Sequence, residues 1–428
     1  MPRPLVLLRR ARDAFPPTPL GLLALAAAWL ALDLLAFERL DLVALVVGYG
    51  LLGLVGLAVI GTALFALLLR PRLRRAARAA RETLRLETGV AAETALVLPA
   101  FRWLPLVQLR WDWSSPVATV DAVPRLGVQR ERVVLPRRGE HDTIVRRFLV
   151  EDALGLARVT LRLSAASPLR VAPHVGALGA LPVLRAFTGG DAVSHPLGDP
   201  EGDRLELRRY APGDPARFIH WKIFGRTRKL VVRLPERALS PARRQVAYLV
   251  AGSGDEASAA AARVAVRGGA LGDDWAFGAA GTPGLLTEPE AALLAIVRSG
   301  SEEAREEAGA GLRAFLAEAD RRGPPNALVF VPPEPGPWLE AVCAELATRR
   351  GRARAVVAID GQRRTLRRGG RLRRLLTTPA AASGADPERL ADVRRALAAA
   401  GTPVTLVDRS TGRVLGERAL RPAPREAA

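Results

Sequence analysis

The sequence predicts a multi-domain chain mixing α and β. It has an N-terminal transmembrane helical hairpin, a small β-sandwich-like domain and a C-terminal α/β domain. Three observations predict this. Two long apolar runs stand near the N-terminus, seven short β-rich runs follow them, and longer strand and helix patterns then alternate towards the C-terminus.

Leu20 to Phe37 is apolar apart from Asp33, and Leu42 to Leu69 carries no charge at all. At about 1.5 Å per residue the second run extends roughly 40 Å, against a hydrocarbon core of ~30 Å. The link Glu38-Arg39-Leu40-Asp41 is short enough for a tight hairpin. Arg3, Arg9, Arg10 and Arg12 precede the hairpin, and Arg70, Arg72, Arg74, Arg75, Arg78 and Arg81 follow it. The positive-inside rule then puts both ends in the cytoplasm and most of the mass on that side of the membrane. The other reading of the first run, a cleaved signal peptide, leaves the second run embedded in the same direction. Asp33 lies near the outer end of its span, where a carboxylate reaches the interface. Gly48, Gly50 and Gly53 match GxGxxG by spacing but sit inside an apolar run, where small residues permit close helix packing instead of dinucleotide binding.

The expected organisation is a cytoplasmic tail (1–19), the hairpin (20–69), a basic juxtamembrane segment (70–82), the β domain (83–180), a charged segment (181–240), the α/β domain (241–420) and a tail (421–428). The β-rich runs are Thr94–Leu98, Leu106–Trp113, Val117–Val123, Arg132–Leu135, Thr143–Val150, Leu156–Leu163 and Leu169–Val171, with Trp103, Trp111 and Trp113 read as packing residues. In the α/β part, strands are expected at Val246–Val250, Trp275–Ala279, Ala327–Val331, Ala353–Ile359 and Val404–Val407. Helices are expected at Asp255–Arg267, Glu288–Arg298, Ser301–Arg321, Pro337–Arg349 and Asp386–Ala400.

The net charge of +20 favours anionic partners: lipid headgroups, nucleic acid or an acidic protein. Cys343 is the only cysteine, which excludes an intramolecular disulfide. His141, His174, His195 and His220 are scattered, so no zinc-ligand spacing arises. No phosphate-binding GxxxxGK[ST] or G-x-S-x-G elbow occurs. The enzymatic reading rests on Asp214, His220 and Lys222 converging as an acid/base group. Seven arginines between Arg363 and Arg374 flank Gly369-Gly370 and form a candidate phosphate-binding hairpin for anionic lipid or nucleic acid. Aromatic residues do not interleave there, which counts against nucleic acid.

The most distinctive stretch runs from Arg208 to Arg226 and contains Tyr210, Pro212, Gly213, Asp214, Arg217, Ile219, Trp221 and Lys222. Pro212-Gly213-Asp214-Pro215 is a turn signal, and Asp214 and Arg217 are close enough to pair. Lys222 and Lys229 are the only lysines. This stretch resembles the R-x-Y-x-P-G-D-x-x-R-x-I-x-W-K-x-x-A-R pattern of the bacterial "domain of unknown function 58" proteins, with Gly225 at the usual Ala position. Glu151-Asp152-Ala153-Leu154-Gly155-Leu156 resembles the family's D-P-F-G-L element, and Val171-Ala172-Pro173 the short strand after it.

The resemblance implies a membrane-anchored protein whose C-terminal domain is von Willebrand factor A-like, a Rossmann-like fold. Such domains often hold Mg²⁺ through D-x-S-x-S. Here Ala251-Gly252-Ser253-Gly254-Asp255 lacks the first carboxylate, so Ser253 and Asp255 form a degenerate site at which little or no Mg²⁺ binding is expected, and no cofactor is implied. The resemblance also implies protein partners, a MoxR-type AAA+ ATPase among them, in assembly or envelope maintenance. The signature residues are then either structural or partner-binding. The structural reading buries Trp221 and pairs Asp214 with Arg217 at a domain junction.

Overall fold

The computed structural model describes residues 13, 15–37, 41–80, 83–99, 107–180, 193–199, 205–210, 219–235, 238–239, 244–361 and 384–415. The chain divides into two compact units, Met1–Ala172 and Pro173–Ala428.

In the first unit, helix α1 (Pro19–Leu30) begins at Thr18, whose hydroxyl accepts from the Gly21 N–H at 3.1 Å, with Pro19 preset for the first turn. Ala31–Phe37 continues it as a π-helix. Helix α2 (Leu42–Ala79) is capped by Asp41, which accepts from Val43 and Ala44 N–H. The two helices pack through Leu32, Ala36 and Ala44. A Cβ on Gly48 would lie 2.6 Å from Leu32 Cγ, so this glycine sets the approach, whereas Gly50 and Gly53 face open space. Both helices are long and apolar enough to cross a membrane, with mean hydropathy of 2.2 and 2.5 over their most apolar windows, of which only 22% is buried. Leu20, Leu23, Trp29, Leu42, Val43, Val46 and Ile60 are among the many large apolar residues left uncovered.

Seven strands follow: β1 (Leu84–Glu87), β2 (Ala92–Pro99), β3 (Val107–Ser115), β4 (Val117–Arg125), β5 (Val128–Val134), β6 (Gly139–Asp152) and β7 (Arg158–Ala172). They form one sheet in the order β1-β7-β6-β3-β4-β5-β2. The β4–β5 hairpin turns at Leu126-Gly127, both with positive φ, as a two-residue turn matched to strand twist requires. The last two expected runs are one strand, β7, because Ser167 and Pro168 do not interrupt its alternation. β1 is an unexpected parallel partner of β7.

The sheet curls on itself. Leu96 and Leu98 of β2 share a core with Trp111 of β3, Phe148 and Val150 of β6, and Phe65, Ala66, Leu69, Leu73 and Ala80 from the end of α2. The join between a span ending at residue 69 and the basic segment at 70–82, which the sequence reads as a helical continuation, lies within this core. One helix runs through it, with Leu69, Leu73 and Ala77 buried on one face and Arg70, Arg72, Arg74, Arg75 and Arg78 exposed on the other. The physical reason is helical period: apolar residues recur every three or four positions through the arginine-rich stretch.

The second unit opens with a short 3-10 helix (Gly176–Ala180), after which come β8 (Val193–Asp199) and β9 (Leu205–Arg209). Helix α3 (Trp221–Thr227), β10 (Val231–Pro235) and β11 (Ala238–Leu239) follow. The α/β part contains β12 (Gln245–Leu249), α4 (Glu256–Arg267), β13 (Trp275–Ala279), β14 (Thr282–Leu286), α5 (Pro289–Arg298), α6 (Glu302–Glu306), α7 (Ala308–Asp320), β15 (Asn326–Val331), α8 (Trp338–Ala347), β16 (Ala353–Ile359), α9 (Pro387–Ala399), β17 (Val404–Asp408) and β18 (Arg413–Leu415).

The sheet order is β14-β13-β12-β15-β16-β17-β18, parallel from β13 to β17 with antiparallel edges. Leu312, Phe315, Val342, Leu390 and Val393 cover one face, and the alanine-rich α4 with Ala292 and Ile296 covers the other. The strands and helices lie close to their expected positions, except that the expected 301–321 helix is split at Glu307. The edge strands β14 and β18 carry Pro283, Gly284 and Arg413 and show no apolar periodicity, which is why pattern reading passes over them.

Candidate functional site

Ligands of open α/β sheets bind outside the carboxyl ends of the strands where the order reverses, here between β12 and β15. At that place the chain packs closely around Gly252. A Cβ on Gly252 would come within 2.6 Å of Pro332 Cγ and 3.1 Å of Trp338 Nε1. Asp255 is buried, and its Oδ2 accepts from the Gly252 N–H at 2.9 Å, so the carboxylate braces its own loop. Ser253 is exposed. Ser258 Oγ, one turn along α4, donates to Val331 O at 2.7 Å and accepts from Ala358 N at 3.1 Å, tying the ends of β15 and β16 together. Among the described residues no three His, Cys, Asp or Glu side chains gather as a metal site would need.

At the ends of β16 and β17 a second polar cluster forms. Arg409 donates to both oxygens of Asp360, at 2.5 and 2.6 Å, and to His174 O at 3.0 Å. Asp408 accepts from Ser410 Oγ and N–H, Thr411 Oγ1 and Gly361 N–H. Burial pushes the Asp408 carboxyl up, but these four donors outweigh it and hold the group below the usual carboxylate range. Both carboxylates are engaged in shaping the loops.

The described residues of the signature stretch and its flanks, 205–210 and 219–235, form a two-stranded ribbon and a short helix. β9 pairs antiparallel with β10, the Tyr210 N–H donates to Leu230 O at 3.0 Å, and the His220 N–H donates to Val231 O at 2.8 Å. Ile219 bridges to Val232, which is fully buried. Helix α3 ends on Arg228 in the left-handed conformation (φ 55°). Trp221 is 61% exposed and Tyr210 is 36% exposed, and Lys222, Arg226, Arg228 and Lys229 are exposed as well. The Trp221 and Phe224 rings meet edge to face at 6.1 Å, and the Arg228 guanidinium lies 6.0 Å from the Phe224 ring centre.

The expected burial of Trp221 is therefore corrected: a seven-residue helix on a two-stranded ribbon cannot enclose an indole. Pro212, Gly213, Asp214 and Arg217, and the side chain of Arg208, lie outside the described residues, as do Arg363 to Arg374. Convergence of Asp214 with His220 and Lys222 is likewise outside them. Of the three, Lys222 is exposed at the start of α3.

The most concentrated buried polar chemistry lies in the β domain and was not foreseen. Glu131 and Arg146 are fully buried and paired, with Arg146 Nε and Nη2 donating to the carboxylate at 2.8–3.1 Å. Thr94 Oγ1 (2.6 Å), Trp111 Nε1 (3.2 Å) and Trp113 Nε1 (2.8 Å) donate to the same carboxylate, and Arg146 lies 5.2 Å from the Trp113 ring centre. Trp111 and Trp113 are buried, as packing residues should be. A signal for the pair existed: Glu131 is in phase with buried Val133 on β5, and Arg146 with buried Ile144 and Phe148 on β6.

No family model matches the chain, and no curated protein matches it. Among solved structures, one match is a 2,6-sialyltransferase of Photobacterium sp. JT-ISH-224, in a complex with CMP and lactose. It is 7% identical over 77% of this chain and 54% of that one, with a TM-score of 0.19. The chain spans about half the length of that protein, and a likeness this loose carries no argument.

Proposed function

We propose that the chain is a membrane-anchored, cytoplasmic interaction protein whose signature ribbon docks an acidic protein surface. The observation that carries this reading is the face of α3 and its flanks. Trp221 stands uncovered beside Lys222, Arg226, Arg228 and Lys229, and residues 219–230 contain no acidic side chain. An exposed tryptophan on a short segment rich in exposed cations has the composition of an interface anchor. The two apolar helices and the arginine asymmetry around them support the anchor and its orientation.

The sheet order of the second unit, with its antiparallel β14 edge, fits a von Willebrand factor A-like domain. The Asp255 carboxylate, turned onto its own loop, favours docking that does not depend on Mg²⁺. The partner we propose is a MoxR-type AAA+ ATPase.

The test is pull-down of a purified MoxR-type ATPase from the same genome by the full chain in detergent, with and without ATP. Trp221→Ala and Lys222→Glu are each expected to weaken binding at least tenfold with the melting temperature unchanged. Binding that is absent in the wild type, or indifferent to both substitutions, refutes the reading.

A further inference from the structure

An apolar groove runs along α2 in the first unit. Leu57, Gly61, Leu64 and Leu68 form its helical wall, and Val107 and Leu154 close it from the start of β3 and the turn after β6. Polar groups at its rim are already engaged. Thr62 Oγ1 donates to Ala58 O at 2.7 Å, and the Asp152 carboxylate accepts from the Leu154 and Ala157 N–H groups. Gly61 leaves the floor open, since a Cβ built there meets nothing within 4 Å. Such a groove offers no hydrogen bond to a sugar or nucleotide and suits a hydrocarbon chain.

The charge at one end identifies the rest of the occupant. Leu57, Gly61, Leu64, Leu68 and Arg72 follow one another at intervals of four, three, four and four residues, a single helical stripe. Arg72 is exposed and its Nη1 donates to Leu68 O at 3.2 Å, which brings the guanidinium back to the mouth of the groove. Exposed Arg70 lies half a turn away. From Leu42 to Leu64 the helix rises ~33 Å, close to the ~30 Å hydrocarbon core. Leu57 to Leu64 therefore lie within one leaflet, and Leu68 lies just past the hydrocarbon. Arg72, whose backbone is ~12 Å beyond Leu64, reaches back to Leu68 O and so towards the headgroups.

We infer that this groove holds one acyl chain of an anionic phospholipid, with its phosphate on Arg72. The site rests on the membrane-anchor reading, and it would make the β domain's seat on the bilayer sensitive to lipid charge. Arginine provides the planar, permanently charged fork suited to phosphate.

The probe is native mass spectrometry of the full chain released from nanodiscs containing equal phosphatidylglycerol and phosphatidylcholine. The wild type is expected to retain phosphatidylglycerol at least fivefold over phosphatidylcholine. Arg72→Gln, at an exposed position, should bring that ratio close to one, and Gly61→Phe should lower total retained lipid at least tenfold. Equal retention of the two lipids by the wild type, or an unchanged ratio in Arg72→Gln, overturns the proposal, whatever Gly61→Phe does to folding. Failure of the anchor itself is read separately: a chain released from membranes by alkaline carbonate without detergent refutes the membrane reading.

Discussion

Glu131 and Arg146 show how a single position can matter more than its sequence context implies. Each is a charge in the inward phase of a strand, and each is buried. Removing one partner leaves the other desolvated and uncompensated, so Glu131→Ala or Arg146→Ala should destabilise the β domain by about 3–5 kcal/mol, read by chemical denaturation in detergent. The double variant Glu131→Leu/Arg146→Met should be less damaging than either single one, because it removes both desolvated charges.

Asp408 makes a pH prediction. Its folded carboxyl is held below its ordinary range by the hydroxyls and N–H groups around it. Its stabilisation is therefore present above the unfolded value of about 3.9 and is lost as pH falls through the lower folded value. Asp408→Asn should flatten the acid limb of the stability profile, and an unchanged profile would show that this carboxyl does not control it. The Cys343 thiol, pushed up by burial, should react slowly with maleimides at neutral pH in the folded chain and quickly in denaturant.

Helix α2 performs two jobs along its length. Its first half is apolar on all sides and mostly uncovered, with Ala44, Gly48 and Val55 buried, and its last four turns bury one side in the curled sheet. Leu73 is fully buried among β-domain residues, so Leu73→Ala should cost about 2–5 kcal/mol. Leu67, 65% exposed, should tolerate Ala at well under that cost, and equal effects in a thermal melt would contradict this division of the helix. Hydropathy alone finds the helix but not the division, since Leu69 and Leu73 read the same in lipid as in a protein core. The signature ribbon errs in the opposite direction: Trp221 reads as a core residue by type, yet the short α3 leaves it in solvent.

For the molecule as a whole, the arginine asymmetry predicts that both termini face the cytoplasm. A phosphatase reporter, active only after export, fused after Ala428 should be silent, and a cytoplasm-active reporter at the same place should be bright.

The sequence alone determined the two apolar helices, most strands of both sheets and the α/β alternation, because these rest on periodicity, a local property of the chain. It also determined the loss of a carboxylate at the Ser253–Asp255 turn, which is a matter of composition. Only the tertiary structure decided that the β sheet closes over the end of α2, that Asp255 turns inward, that Trp221 stands outside, and that Glu131 meets Arg146. Each of these depends on which surfaces meet across long sequence separations, and those meetings are fixed by packing and desolvation over the whole unit rather than by any window of residues.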